Sequence, residues 1–97
     1  FMRRHIDRIS YMHFKDIDPV VKADVIAKST GFYDACGQGI FCNLGKGDVD
    51  FAAVRQILLD AGFKGWCTVE QDCDPTLDVS PADDARKNRD YLSSIGF

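Results

Sequence analysis

Apolar residues recur along the chain with two different periods, and these periods predict alternating helices and strands. Residues 1–9 carry apolar side chains at helical spacing, which predicts the last turns of an amphipathic helix. Ile9–Phe14 is short, apolar at both parities and rich in β-branched and aromatic residues, and Trp66–Glu70 has the same character. Both segments are predicted to be strands buried on both faces, as is typical of parallel sheets.

A capping pattern predicts a helix after the first strand. Asp18 is placed to be the N-cap and Pro19 the first helical residue, so the helix is predicted over Pro19–Lys28, with Gly31 ending it. The glycine-rich segment that follows, Phe32–Asp48, is interpreted as a long irregular loop. A loop of this length in a compact domain is usually functional.

Two more helices are predicted in the second half of the chain. The clearer one spans Val49–Gly62, with Asp50 as its N-cap and Gly62 as its left-handed end. The other opens with the capping box Ser80-Pro-Ala-Asp83, with Pro81 as its first helical residue, runs to about Ser94 and ends at Gly96.

The element order is helix, strand, helix, loop, helix, strand, loop, helix, the second loop being Gln71–Val79. Two buried strands separated by helices predict βαβ units and a parallel sheet. We therefore predict an α/β fold with one domain over residues 1–97.

Composition and charge exclude several classes of protein. Hydrophobic residues make up 45% of the chain and the net charge is −3, which excludes intrinsic disorder. No apolar run is long enough to span a bilayer, and twelve basic against fifteen acidic residues argue against a nucleic-acid partner. The four cysteines lack the C-x-x-C spacing of zinc or redox motifs, so we expect free, reduced thiols and a cytoplasmic location. They are Cys36, Cys42, Cys67 and Cys73.

Each predicted strand ends with one titratable residue. Strand parity places His13 on the same face as Tyr11, and Glu70 on the same face as Thr68. Functional groups of parallel α/β folds gather at the carboxyl ends of strands. An imidazole and a carboxylate are natural ligands of Mn²⁺, Co²⁺ or Zn²⁺, and either could act as a general base. The alternatives are a hydrogen-bonded structural histidine and a glutamate paired with a neighbouring Lys or Arg.

Other polar residues follow these two strand ends. Lys15 and Asp16 come just after the first strand, and Asp72 and Asp74 come after the second. The acidic run could equally be a solvated loop. The glycines of Gly45–Gly47 could let the backbone approach a substrate, or they could simply form a turn.

Several spaced motifs follow one another along the chain: His13-Phe-Lys-Asp16, Gly39-Ile-Phe41, Leu44-Gly-x-Gly47-x-Val-Asp-Phe51, Gly65-Trp66 and Val69-Glu70-Gln71-Asp72, followed by Asp74-Pro75. Together they resemble the C-terminal part of the xylose isomerase-like TIM barrels, over about residues 6–95. This superfamily includes sugar isomerases and epimerases, endonuclease IV and inosose dehydratase, and the resemblance is closest to the inosose dehydratase branch.

The resemblance implies a fold, an activity and site residues. The fold would be the C-terminal part of a (β/α)8 barrel, and the activity a metal-dependent dehydration of a keto-inositol through a metal-stabilised enediolate, within carbohydrate metabolism and myo-inositol catabolism. His13 and Glu70 would be ligands of a divalent metal (Mn, Co, Zn or Mg). Lys15 and Asp16 would lie where the family places groups that contact the substrate or orient the site, and we expect catalytic roles for them. From their places in the sequence we expect Asp72, Asp74, Gly45 and Gly47 to bind substrate.

The sequence departs from the branch in one place and from the epimerases in another. Where the dehydratases tend to have E-A-E-Q-D-P, this chain has Glu70-Gln-Asp-Cys-Asp-Pro75, so the substrate stays open. An arginine that some ketose epimerases carry beyond the metal histidine is absent, since Pro19 lies there. A sugar isomerase or epimerase and a non-catalytic, self-associating fragment are the alternatives, and a role in DNA repair is disfavoured by the acidic balance.

The length sets a limit on this interpretation. A closed (β/α)8 barrel takes roughly 250 residues, whereas this chain has 97 and begins with Phe1. Two strands would leave sheet edges unpaired and would supply only two protein ligands to a metal. We therefore expect the C-terminal portion of a larger barrel, or a homo-oligomer, and little activity from the isolated chain.

Overall fold

The chain folds into two small sheets and a set of helices, as a computed structural model of residues 1–76 and 78–97 shows. The helices are α1 (Met2–His5), α2 (Pro19–Lys28), α3 (Phe32–Gly37), α4 (Phe51–Asp60) and α5 (Pro81–Ser94), and a 3-10 turn over Ile6–Arg8 follows α1. The strands are β1 (Tyr11–Phe14), β2 (Asp16–Ile17), β3 (Phe41–Cys42) and β4 (Trp66–Val69).

The predicted parallel pairing is confirmed, since β1 pairs with β4 in parallel. His13 lies opposite Thr68, and Phe14 lies opposite Val69. The N–H of Glu70 donates to the Phe14 carbonyl at 2.9 Å, which carries the ladder one residue beyond β4. The carboxyl ends of the two strands therefore lie side by side.

The prediction that both strands are buried on both faces is wrong. One face of the sheet packs on the core, where Phe14 contacts the cluster that contains Phe51 and Leu58 of α4. The other face is open: Tyr11 is 51% exposed and Trp66 is 81% exposed. In a closed barrel, the remaining strands would cover the apolar residues on this face. Two strands with helices on one side leave the face exposed to water.

The helix after β1 spans Pro19–Lys28 as predicted, but Ser29 ends it rather than Gly31. The Asp18 carboxylate accepts hydrogen bonds from the N–H groups of Val20 and Val21, which confirms the N-cap. The helix ends at Ser29, which has a left-handed φ of 51°. Gly31 is instead the N-cap residue of α3.

The segment predicted as an irregular loop, Phe32–Asp48, contains α3 and β3, so that prediction is wrong. Phe41 of β3 pairs with Ile17 of β2 in an antiparallel ladder. A six-residue helix and a two-residue strand are too short to show a hydrophobic period, which is why the glycine-rich composition dominated the pattern.

The last two helices confirm their predicted caps. The Asp50 side chain accepts from the Ala53 N–H at the start of α4, and Gly62 follows the helix with a φ of 62°. The Ser80 hydroxyl accepts from the Asp83 N–H at 3.3 Å.

The described residues of the predicted loop Gln71–Val79 form neither helix nor strand, and Leu77 lies outside the described residues. Within the part of the chain that the structure describes, the helices are too short or too polar to cross a membrane.

Candidate functional site

The structure brings His13 and Glu70 into direct contact at the carboxyl ends of β1 and β4. Nδ1 of His13 lies within hydrogen-bond distance of Oε2 of Glu70. The face that they share is the open one, where the Tyr11 and Thr68 hydroxyls hydrogen-bond at 2.6 Å. The parity of each strand predicted only that these side chains point to one face. The parallel pairing and its register bring His13 and Glu70 into contact.

Lys15 joins this pair and adds Asp72. Its ammonium donates to Oε1 of Glu70 at 2.7 Å and to Oδ2 of Asp72 at 2.5 Å. The same Nζ lies 4.2 Å from the centre of the Phe41 ring. Four polar residues predicted from the sequence are thus together, and we call His13, Lys15, Glu70 and Asp72 the charged cluster.

The ionisation of the cluster follows from these contacts. Burial opposes the charged form of Lys15, but the hydrogen bonds and charges of Asp72 and Glu70 outweigh it, so the pKa of Lys15 is raised. The Lys15 hydrogen bond, followed by that of His13, lowers the pKa of Glu70. Lysine and glutamate are therefore both charged at neutral pH, and the carboxylate is the form in which Glu70 can bind a metal.

Asp16 lies elsewhere, with its side chain turned into the protein. It is 1% exposed, and its carboxylate accepts four backbone N–H groups, at 2.9–3.1 Å. The donors are Ile17, Gly45, Gly47 and Val49. This carboxylate holds the segment between β3 and α4 in place. Among the described residues its side chain makes no hydrogen bond to the side chains of the charged cluster, and the catalytic role predicted for it stays a prediction.

The same contacts explain the glycines at positions 45 and 47. Their N–H groups point at Asp16, and a Cβ at Gly47 would overlap the Asp16 carboxylate and the Ile17 carbonyl. Gly45 has a φ of 80°, and a Cβ there would overlap the Tyr91 ring. The backbone at both glycines therefore lies close to another group of this chain. At Gly47 that group is the Asp16 carboxylate, and at Gly45 it is the Tyr91 ring. Substrate binding by these glycines stays a prediction.

Asp74 forms a local turn. Its Oδ1 accepts from the N–H and the hydroxyl of Thr76, at 2.8 and 2.7 Å, and these two bonds lower the pKa of Asp74. Together with Asp72 and the exposed rings of Phe32 and Tyr33, it lines a cavity of about 400 Å³ between α3 and the segment after β4. A role in substrate binding stays a prediction for both aspartates.

A buried polar network that we did not predict supports the segment after β4. Asn88 of α5 is 2% exposed. Its amide donates to Oε1 of Gln71 at 2.8 Å, and its oxygen accepts from the Leu44 N–H at 2.8 Å. Asn43 also donates to Gln71, at 3.2 Å. The sequence feature that could have revealed this network is Asn88, which lies at helical spacing from Tyr91 and Leu92 and therefore on the core side of α5.

The charged cluster has two donors of the kind that a divalent metal prefers. The His13 nitrogen and the Glu70 carboxylate fit Mn²⁺, Co²⁺ or Zn²⁺ in chemistry. In residues 1–76 and 78–97, no group of three His, Cys, Asp or Glu side chains is arranged to hold a metal ion. The residues present therefore fit part of a metal site, whose further ligands would have to come from other strands of a barrel.

Comparison with known proteins agrees with the resemblance found in the sequence. The family model described as xylose isomerase-like TIM barrel matches residues 1–95. The chain is 36% identical to the inosose dehydratase of Serratia proteamaculans over 91 residues, or 94% of this chain and 30% of that protein. The inosose dehydratase of Clostridium tetani is 37% identical over 91 residues, with the same shares. That of Glaesserella parasuis is 35% identical over 94 residues, or 97% of this chain and 31% of that protein.

The chain thus spans about 30% of the length of the curated relatives that it matches. Its two parallel strands, flanked by helices on one face, make a partial barrel without closure. The order of strands and helices, the side-by-side carboxyl ends of β1 and β4 and the family match over nearly the whole chain agree. This chain belongs to the xylose isomerase-like TIM barrel family.

Proposed function

We propose that this chain forms part of the active site of a metal-dependent enzyme that dehydrates a keto-inositol. The observation that carries the proposal is the charged cluster, in which His13 and Glu70 meet at the carboxyl ends of two parallel strands. That edge of a barrel is where this fold places its chemistry. The relatives that the chain resembles are named inosose dehydratases, and dehydration is the reaction that their name states.

In this proposal His13 and Glu70 hold the metal. A divalent ion held there would polarise the ketone of the substrate and ease loss of the neighbouring C–H proton. Dehydration removes that proton and expels a hydroxyl from the next carbon as water, leaving an enol that tautomerises to a diketone.

The remaining residues of the cluster position charge. Lys15 fixes both carboxylates by direct hydrogen bonds, at 2.7 Å to Glu70 and 2.5 Å to Asp72. In this proposal its positive charge would stabilise the negative charge that forms on the substrate as the proton leaves, as a fixed cation does in a transition state. The Asp72 carboxylate would accept a hydrogen bond from a hydroxyl of the polyol. Asp16 is left out of the proposed chemistry because its oxygens are already filled by four backbone N–H groups.

The proposal is tested in the gene product that contains this chain. Glu70→Gln keeps the shape of the side chain but removes its charge, and we expect a fall of at least about tenfold in both Mn²⁺ affinity and kcat/KM for an inosose. The matched control is Asp24→Asn, which neutralises an exposed carboxylate paired with Lys28 on α2 and should change neither. Full activity of the Glu70→Gln enzyme would contradict the proposal.

The finer assignments follow from the same reaction. An enzyme that consumes an inosose would act in inositol catabolism, in the cytoplasm, on a small polyol. A sugar isomerase or epimerase could use the same cluster. Product analysis separates the two, since dehydration lowers the substrate mass by one water and isomerisation leaves it unchanged.

Self-association is the second candidate function, and the open sheet face favours it. Trp66 and Tyr11 expose large apolar areas there, beside sheet edges whose backbone groups are unpaired among the described residues. Size-exclusion chromatography with light scattering on the 97-residue chain tests this idea. A mass of two or more chains is expected, and a monomer across the accessible concentration range would contradict it.

A further inference from the structure

We propose that Phe41 is a positioning residue that holds Lys15 in the charged cluster through a cation–π contact. This inference rests on the proposed function only for its effect on catalysis, since the contact itself is a feature of the fold. Phe41 ends the Gly39-Ile-Phe41 motif, to which the proposed chemistry assigns no role.

The geometry places the ammonium on the ring. Nζ of Lys15 lies 4.2 Å from the ring centre, well inside the roughly 6 Å over which the negative face of an aromatic ring attracts a cation. Glu70 and Asp72 take two other directions around the same nitrogen. The Lys15 side chain is 24% exposed, less than its partners Glu70 and Asp72, which are 38% and 45% exposed.

The backbone fixes the ring in that position. Lys15 lies between β1 and β2, and Phe41 faces Ile17 in the β2–β3 ladder. The Phe41 ring also lies 6.1 Å from the Phe32 ring of α3. A short antiparallel ladder inserted after β1 therefore brings an aromatic face to the lysine, and this explains what α3 and β3 contribute to the site.

The Phe41 ring holds the ammonium differently from a polar side chain. It attracts the ammonium without accepting its proton, and it leaves the Lys15 hydrogens to the two carboxylates. Without the ring, the long lysine side chain gains rotamer freedom and water reaches Nζ. Glu70 and Asp72 would then lose the group that spaces them.

The first test observes the contact and does not depend on activity. In an NMR spectrum of the 97-residue chain, the Lys15 Hε protons should lie upfield of those of Lys28, because the Phe41 ring current shields them. Phe41→Leu should abolish the shift, and Phe41→Tyr should retain it. Lys15 Hε shifts equal to those of Lys28 in the unmodified chain would overturn the proposal.

The second test measures the consequence in the gene product that contains this chain. Successive fluorination of Phe41 weakens the ring face while keeping its shape, so kcat/KM should fall stepwise by about two- to fivefold in total. A structural role of the ring would predict no such trend, and a flat series with the ring-current shift intact would overturn the positioning role. If the unmodified enzyme does not turn over an inosose, the proposed function fails while the NMR result still decides the contact.

Discussion

At the scale of single residues, exposure separates the carboxylates of this chain into two kinds. Glu70 and Asp72 are partly exposed and share Lys15. Asp16, three residues from His13, is buried and bound by four backbone N–H groups. All three follow a strand end in the sequence. Their position along the chain therefore does not reveal whether the side chain points into the protein or towards solvent.

Replacement of Asp16 by Asn should destabilise the fold. The amide keeps one acceptor oxygen but loses the charge and the second, so we expect the free energy of unfolding to fall by about 2–3 kcal/mol. Urea denaturation followed by circular dichroism measures this. The control is Asp48→Asn, an exposed partner of Lys22, which should cost less than about 1 kcal/mol. Equal effects of the two variants would contradict a structural role for Asp16.

The four free thiols should react in an order set by their surroundings. Burial raises the pKa of Cys67, and burial followed by the charges of Asp16 and Asp18 raises that of Cys42. A raised pKa means less thiolate at pH 8, and thiolate is the reactive form. Iodoacetamide should therefore modify exposed Cys73 several-fold faster than either of these two, as followed by mass spectrometry. Equal rates in the folded chain would be inconsistent with this packing.

At the scale of elements, a polar contact ties the N-terminal helix to α4. Arg3 of α1 donates to Asp60 at 3.1 Å, and Gln56 of α4 donates to the same carboxylate at 2.6 Å. The Gln56 bond, followed by the Arg3 bond, lowers the pKa of Asp60. A carboxylate with a lowered pKa stabilises the fold above its ordinary pKa, and this stabilisation is lost as the pH falls below it.

Asp60→Asn should therefore cost stability near neutral pH and little in acid. The difference in unfolding free energy between the unmodified chain and the variant should shrink as the pH falls from 6 through the ordinary aspartate pKa of about 3.9. Thermal unfolding at a series of pH values measures it. Arg3→Met should remove only the part of this dependence that the ion pair supplies. A difference that grows in acid would refute the assignment.

At the scale of the whole molecule, the open face of the β1–β4 sheet is the main departure from a closed fold. Its edges are unpaired in the described residues, and its apolar side chains have no covering layer. The charged cluster lies at the end of this same face. In a barrel the face would point inward, so the cover that protects Trp66 would also enclose the cluster.

The single tryptophan reports on that cover. Trp66 is 81% exposed, so at low concentration its fluorescence should have the long-wavelength maximum of an indole in water. Association of copies or completion of a barrel should shift it to shorter wavelength. A dilution series measures the shift, and Trp66→Lys, followed by light scattering, should abolish association. A short-wavelength maximum in a monomer would show that the face is covered in another way.

The sequence predicted the elements whose signals are local. The caps at Asp18, Asp50 and Ser80 follow from side chains that bond backbone groups two or three residues away. The parity of the two strands placed His13 and Glu70 on one face because side-chain alternation in a strand is fixed by the backbone. The short elements α3 and β3 were missed, since six- and two-residue segments carry too little pattern.

Tertiary structure decided what depends on partners distant in the chain. The bonds from Gly45 and Val49 to Asp16, the Asn88–Gln71 contact and the Phe41 ring beside Lys15 join residues 17 to 33 positions apart along the chain. The open face of the sheet was also decided by tertiary structure, because the burial of a strand depends on which other strands are present. A hydrophobic pattern shows only which residues would be buried in the presence of those strands. The sequence by itself determined the family and the two strand ends with their polar residues. Only the packed chain decided which polar groups meet there and which support the fold.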